Sequence, residues 1–241
     1  MTQQQITRWL LKPVVFVASL VPAVYLGLQV LKTLGYLTWS AVADLSANPL
    51  SDVTNGTGDW TIRFVCIALA VTPLRRLTGW NIVIRFRRML GLFAFFYATL
   101  HFLTYVGLDR LAGLDFPNGI VSLTTVRLLA VSIAADIYKR PFITIGFTGF
   151  VLMIPLALTS TTGMIRRLGG RRWQTLHRLI YLTGVAAVLH YWWLVKADIR
   201  KPAMYGAIVV ALLGFRVYWA RAHAKPAPVR PAPARSPSAS A

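Results

Sequence analysis

The chain of 241 residues is 56% hydrophobic and only 14% charged, yet carries a formal net charge of +19. A soluble domain averages about 25% charged residues, and the apolar residues here come in long blocks, so the composition excludes a soluble globular protein and points to a polytopic membrane protein. Basic residues cluster in short stretches between those blocks, a topology signal rather than a nucleic-acid footprint, and the single Cys66 excludes both a disulfide framework and covalent C-x-x-C-H haem attachment.

About 20 apolar residues cross a bilayer. The first such stretch, 13–31, is bracketed by Lys12 and Lys32. It runs on without a small-residue cleavage site and reads as a retained span rather than a cleaved signal. The second, 60–74, is short and contains Arg63, expected to snorkel toward water. Stretches 89–108, 141–165, 173–195 and 202–220 complete six spans. Residues 118–137 are moderately apolar but hold Arg127 and Asp136. Counting them as a seventh span would send Arg166, Arg167, Arg171 and Arg172 outside, against the positive-inside rule, so they are expected to form an amphipathic helix on the outer surface.

Placing the N-terminus in the cytoplasm puts Arg75, Arg76, Arg85, Arg87, Arg88 and the 166–172 cluster inside, and all seven Asp outside. The predicted fold is an all-α membrane protein, a six-transmembrane helix bundle with both termini inside. It comprises a cytoplasmic N-terminus (1–12), a membrane domain (13–220), and a disordered basic, Pro/Ala/Ser-rich cytoplasmic tail (221–241). No internal repeat is visible.

Three of the four histidines fall within these spans: His101, His177 and His190. Imidazole in hydrocarbon is rarely kept without a partner. The chain has no Glu, and none of the seven Asp lies deep in a predicted span, which leaves a metal as the economical partner. Neutral imidazole is a common axial ligand of haem iron. Both His101 and His190 lie near the outer ends of their spans, about 20 Å from the cytoplasmic side. Two imidazoles at one level could hold a six-coordinate haem b between helices.

His177, close to the cytoplasmic face, has no histidine opposite. Fourteen residues before His101, on the same helical face, stands Arg87. Its guanidinium has no lone pair for iron but can bind a propionate or another anion. Gln174, Met89 and Met164 are further candidates for a second inner ligand. On an ideal helix His177 and His190 point roughly 140° apart; a kink, for which Gly184 is one candidate, or two haems approaching from different sides would reconcile them. Phe93, Phe95, Phe96, Tyr97, Tyr191, Trp192 and Trp193 read mostly as lipid-facing or interfacial residues, and His223 as a solvated tail residue.

Several segments resemble one family: RFRRMLGL (85–92), ATLHFLTY (98–105), KRPFITIG (139–146), LALTST (156–161), WQTLHRLIYL (173–182) and LHYWWLVK (189–196). They are similar to the haem-binding membrane subunits of bacterial periplasmic protein-methionine-sulfoxide reductase systems, the MsrQ or YedZ family, related to the ferric reductase-like transmembrane domain. The resemblance implies a b-type cytochrome associated with FMN in the bacterial inner membrane, an electron-transfer subunit and not an enzyme on its own. It also implies electrons drawn from the quinone pool or a cytosolic flavin reductase and passed to a periplasmic molybdopterin subunit that reduces methionine sulfoxide. His101, His177 and His190 match the family's haem-ligand positions, and Arg87 stands where the wider superfamily often has a fourth histidine.

Two other readings compete. A self-sufficient ferric reductase or oxidase would need flavin and nicotinamide domains, and no G-x-G-x-x-G unit follows a strand here. A transporter would usually place ionisable residues or broken helices at the midplane, where this sequence is mostly apolar apart from histidine.

Overall fold

The protein is described by a computed structural model over residues 3–107, 123–195 and 197–223. Asp109, Asp115, the first five residues of the expected surface helix and most of the expected tail lie outside the described residues. Among the described residues all regular structure is helical.

A short helix, α1 (Gln3–Ile6), passes through a π turn at Thr7–Leu11 into α2 (Lys12–Thr33). Helix α3 (Pro49–Thr78) begins well before the apolar stretch that announces it. Its signals are local: the Asn48 side chain accepts from the Ser51 amide at 3.2 Å, and Pro49 occupies the first turn, where no amide is needed. Gly79, at φ +72°, closes the helix in the left-handed region.

After a 3₁₀ turn at Asn81–Arg85 come α4 (Arg87–Thr104) and then α5 (Leu123–Lys139). Next are α6 (Pro141–Leu158), two short helices α7 (Thr162–Leu168) and α8 (Gly170–Leu176), then α9 (Leu179–Leu194) and α10 (Arg200–Ala222).

The bundle is organised around two close pairs, α3 against α4 and α6 against α9, with α10 on α3 and α9 and with α2 on α3 and α4. Between α3, α4 and α6 lies a core of Phe64, Val65, Leu69, Phe93, Ala94, Tyr97, Ala98 and Met153. Phe64 stacks on Tyr97 with centroids 5.1 Å apart. Fully buried Tyr97 has to satisfy its hydroxyl inside hydrocarbon. It donates to Ser19 O at 2.8 Å and accepts from the Ala23 amide at 3.1 Å, bridging one turn of α2 next to Pro22. Phe93 and Tyr97 are therefore core residues, not the lipid-facing aromatics expected, whereas Trp192 and Trp193 are exposed.

Four helical segments are long and apolar enough to cross a membrane by length and composition: Thr7–Thr33, Arg87–Gly107, Pro141–Leu158 and Arg200–Ala222. The chain is a multi-pass membrane protein by this measure. The two remaining expected spans differ for physical reasons. Stretch 60–74 sits in α3, whose first half is polar (Ser51, Asp52, Thr54, Asn55, Thr57, Asp59) and whose apolar part contains Arg63. Stretch 173–195 is broken at His177–Arg178, which leaves α9 with 16 residues. The break is there and not at Gly184, which lies inside α9 against Leu69.

Two further expectations are revised. Arg63 does not reach alone for water: its Nε donates to the Tyr205 hydroxyl at 3.1 Å, and its guanidinium lies over the Trp60 ring, 4.5 Å from the centroid. The described part of the surface helix, α5, runs past 137 to Lys139 and packs on α6 with Asp136 buried.

Candidate functional site

The described Asp residues (44, 52, 59, 136 and 198) fall at the ends of helices opposite to those carrying Arg75, Arg76, Arg87, Arg166 and Arg167. The molecule thus has an aspartate end and an arginine end. His101, in the last turn of α4, and His190, in the last turns of α9, both lie toward the aspartate end.

The structure brings these two histidines together. Their ring centroids are 6.2 Å apart and their planes 72° apart. His101 Nδ1 lies 2.9 Å from Thr54 O, and His190 Nδ1 lies 2.7 Å from Phe142 O. A carbonyl only accepts, so in each ring Nδ1 carries the proton and donates. Each neutral ring is then left with an unprotonated Nε2. This is the arrangement that orients a metal-ligating histidine and raises its basicity.

Two glycines make room for the rings, and neither was singled out in the sequence. A Cβ on Gly58 would lie 3.1 Å from His101 Cε1, and one on Gly146 would lie 2.6 Å from His190 Nδ1. The spacing is the same on both sides. Gly58 stands four residues after Thr54, and Gly146 four after Phe142. Each imidazole therefore lies on a neighbouring helix at a glycine and bonds to the carbonyl one turn earlier. A T-x-x-x-G and an F-x-x-x-G spacing were the available signals.

Both histidines line a cavity of about 650 Å³ that is walled by α3, α4, α5, α6 and α9. That volume is in the range of sites that enclose a cofactor-sized molecule. Phe102, Phe147, Phe150, Met153 and Ala187 make its apolar walls, and Asn55, Asp59, Tyr105, Arg140 and Lys201 its polar rim. Asp59 stands next to Gly58 in α3, with its side chain only 17% exposed, held by Lys201 at 3.2 Å and Arg63 at 3.7 Å. A carboxylate thus stands beside the histidine level after all. It is matched by cations and not by the imidazoles.

The residues fit a shared metal centre. With metal–imidazole bonds of about 2 Å and about 1 Å from each nitrogen to its ring centre, two rings on one ion would have centroids about 6 Å apart. The observed 6.2 Å meets that requirement, and the walls suit a flat apolar macrocycle.

His177 is placed differently. It caps α8 at the break before α9 and does not line the cavity. Its Nε2 lies 3.1 Å from Thr159 Oγ1, and its ring stacks on Trp173 with centroids 3.9 Å apart. Trp173 Nε1 in turn donates to Thr159 O at 2.9 Å. Arg87, at the first position of α4, is within electrostatic reach of His177. Thr159, which the sequence did not suggest, is the group His177 Nε2 meets. His223 is exposed and stacks on Trp219.

Comparison with known proteins agrees in kind. The family described as ferric reductase like transmembrane component matches residues 57–189. The protein-methionine-sulfoxide reductase heme-binding subunit MsrQ of Herminiimonas arsenicoxydans is 47% identical over 213 residues, covering 88% of this chain and 86% of that protein. The MsrQ of Ralstonia nicotianae is 57% identical over 175 residues, covering 72% and 73%. That of Xanthomonas euvesicatoria pv. vesicatoria is 47% identical over 208 residues, covering 86% and 85%. No solved structure matches.

Proposed function

The chain belongs to the MsrQ family of heme-binding subunits, within the ferric reductase like transmembrane components, and from that premise we propose that it is a b-type cytochrome subunit. It passes electrons across the bacterial inner membrane to a periplasmic molybdopterin methionine-sulfoxide reductase and so supports repair of oxidised envelope proteins. The donor is the quinone pool or a cytosolic flavin reductase, with FMN as an associated flavin. In this reading the chain is not an enzyme by itself. Residues 13–220 form a six-span haem domain with both termini inside, 1–12 a cytoplasmic N-terminus, and 221–241 a cytoplasmic tail.

The observation that carries the proposal is the histidine pair: two rings 6.2 Å apart, each with Nδ1 committed to a carbonyl. His101 and His190 would hold the haem through their Nε2 atoms. Thr54 and Phe142 fix the tautomer, and the apolar walls would keep water from the bound group. When bound there, haem supplies one-electron iron chemistry at a potential set by ligand identity, hydrogen bonding and burial. His177 would hold a second haem on the entry side, and Arg87 would contribute charge for an anionic group there. That role requires His177 either to give up its Nε2 contact with Thr159 or to use Nδ1.

The test is a haem-to-protein ratio with reduced-minus-oxidised spectra on wild type and on H101A, H190A and H177A. Loss of the same low-spin signal from H101A and H190A, with a separate and smaller change in H177A, is expected. Haem-free protein from haem-replete cells would falsify the electron-transfer reading.

A further inference from the structure

The cavity between His101 and His190 has two unlike faces. Its deep face is mostly apolar, with Val65, Ala98, Phe150 and Met153 and one hydroxyl, that of Thr183, which donates to Leu179 O within its own helix. Its rim brings in two cations from separate helices, Arg140 immediately before α6 and Lys201 in the first turn of α10.

Each cation is only partly engaged. Arg140 pairs through Nε with Asp136 Oδ1 at 3.4 Å, and its two terminal nitrogens have no partner among the described residues. Asp136 also accepts a 2.6 Å hydrogen bond from the Tyr105 hydroxyl, which shares that carboxylate's charge. Lys201 makes one ion pair, 3.2 Å to Asp59, and an ammonium has three protons to donate. Asp59 is also approached by Arg63 at 3.7 Å, so the cluster of Asp59, Arg63 and Lys201 holds one positive charge in excess. Cations with spare donors at the rim of an apolar slot are a receptor for an anionic edge.

Resting on the haem reading above, we propose that the macrocycle in this cavity lies with its carboxylate edge at the rim, one carboxylate on the Arg140 guanidinium and the other on the Lys201 ammonium. The opposite orientation would bury two carboxylates among Val65, Phe150 and Met153 without a partner, which is strongly unfavourable. Arg140 has the planar fork that takes a carboxylate through two parallel bonds, while Lys201 acts as a point charge.

The experiment uses the full-length protein, prepared in nanodiscs from haem-deficient cells. It is titrated with haem and with haem dimethyl ester, the same macrocycle without carboxylate charge. Wild type should bind the ester about ten-fold more weakly than haem, the loss expected for charge-assisted contacts at a partly exposed site. The double variant R140Q/K201Q should bind both forms alike, with ester affinity unchanged, which shows that it is folded. R140K should retain part of the preference, and R76Q, at the arginine end, all of it. Equal affinity of wild type for the two forms overturns this orientation and leaves the haem reading standing. Wild type that binds neither form overturns both.

Discussion

The histidine pair and the lone histidine differ in which nitrogen is already used. His101 and His190 spend Nδ1 on carbonyls of neighbouring helices and keep Nε2 for the cavity. His177 has its Nε2 against a threonine hydroxyl and its face against an indole. The first arrangement is prepared for a ligand. The second is already a satisfied polar contact of the kind that holds helices together in a membrane. Intramembrane histidine is therefore an ambiguous signal until the partner of each ring nitrogen is known.

The comparison can be broken most severely at Gly146. A methyl group there would stand 2.6 Å from His190 Nδ1, so G146A must displace the ring and its bond to Phe142. Haem content is expected to fall about ten-fold, since outer-shell support of a ligand is typically worth 10–100-fold in affinity. Bound haem at the wild-type level in purified G146A, by pyridine haemochrome assay, would show that the glycine seat is dispensable.

Gly58 offers a graded version. The corresponding clash with His101 Cε1 is 3.1 Å, which a shift of a few tenths of an ångström relieves. G58A should keep its haem at about half the wild-type level or better, with a changed potential, because the hydrogen bond from Nδ1 to Thr54 lengthens. Redox titration of the low-spin signal measures this, and a G58A protein as empty as G146A would contradict the ordering.

The smallest effect is expected at the other histidine. T159V removes the hydroxyl facing His177 Nε2 at a cost of about 1 kcal/mol, the usual scale of a polar contact between membrane helices. Thermal denaturation in detergent should register that loss while the signal that depends on His101 and His190 stays intact. If that signal disappears in T159V, the two histidine regions are coupled in a way their separation does not suggest.

The sequence revealed the level of His101 and His190, because depth follows from residue count along a helix of known rise. It hid the first half of α3. Hydropathy finds residues that face lipid, and Ser51, Thr54, Asn55 and Asp59 line a cavity instead. The start of α3 was nevertheless written in Asn48, Pro49 and Ser51, a capping pattern that says nothing of hydropathy. The break at His177 was obscured because Trp173 and Leu176 before it and the apolar run from Leu179 after it let the stretch read as one span. The glycine seats left only their T-x-x-x-G and F-x-x-x-G spacings to read, since Gly58 and His101, or Gly146 and His190, are brought together only by the packing of α3 on α4 and of α6 on α9. The Asp59 environment was missed because Lys201, which pairs with it, and Tyr205, which holds its i+4 neighbour Arg63, both come from distant α10.

Each of the paired histidines is anchored within its own helix pair, His101 to α3 from α4 and His190 to α6 from α9. The 6.2 Å interval between the rings thus spans a seam between two helix pairs, each packed more closely within itself than against the other. A metal gripped from both sides would act as a rivet across that seam. The order in which the protein is built would then matter: each pair could form its internal bonds first, and a cofactor bound between the histidines would lock the pairs together. A chain made without cofactor should accordingly give way along this line, between the pairs and not within them.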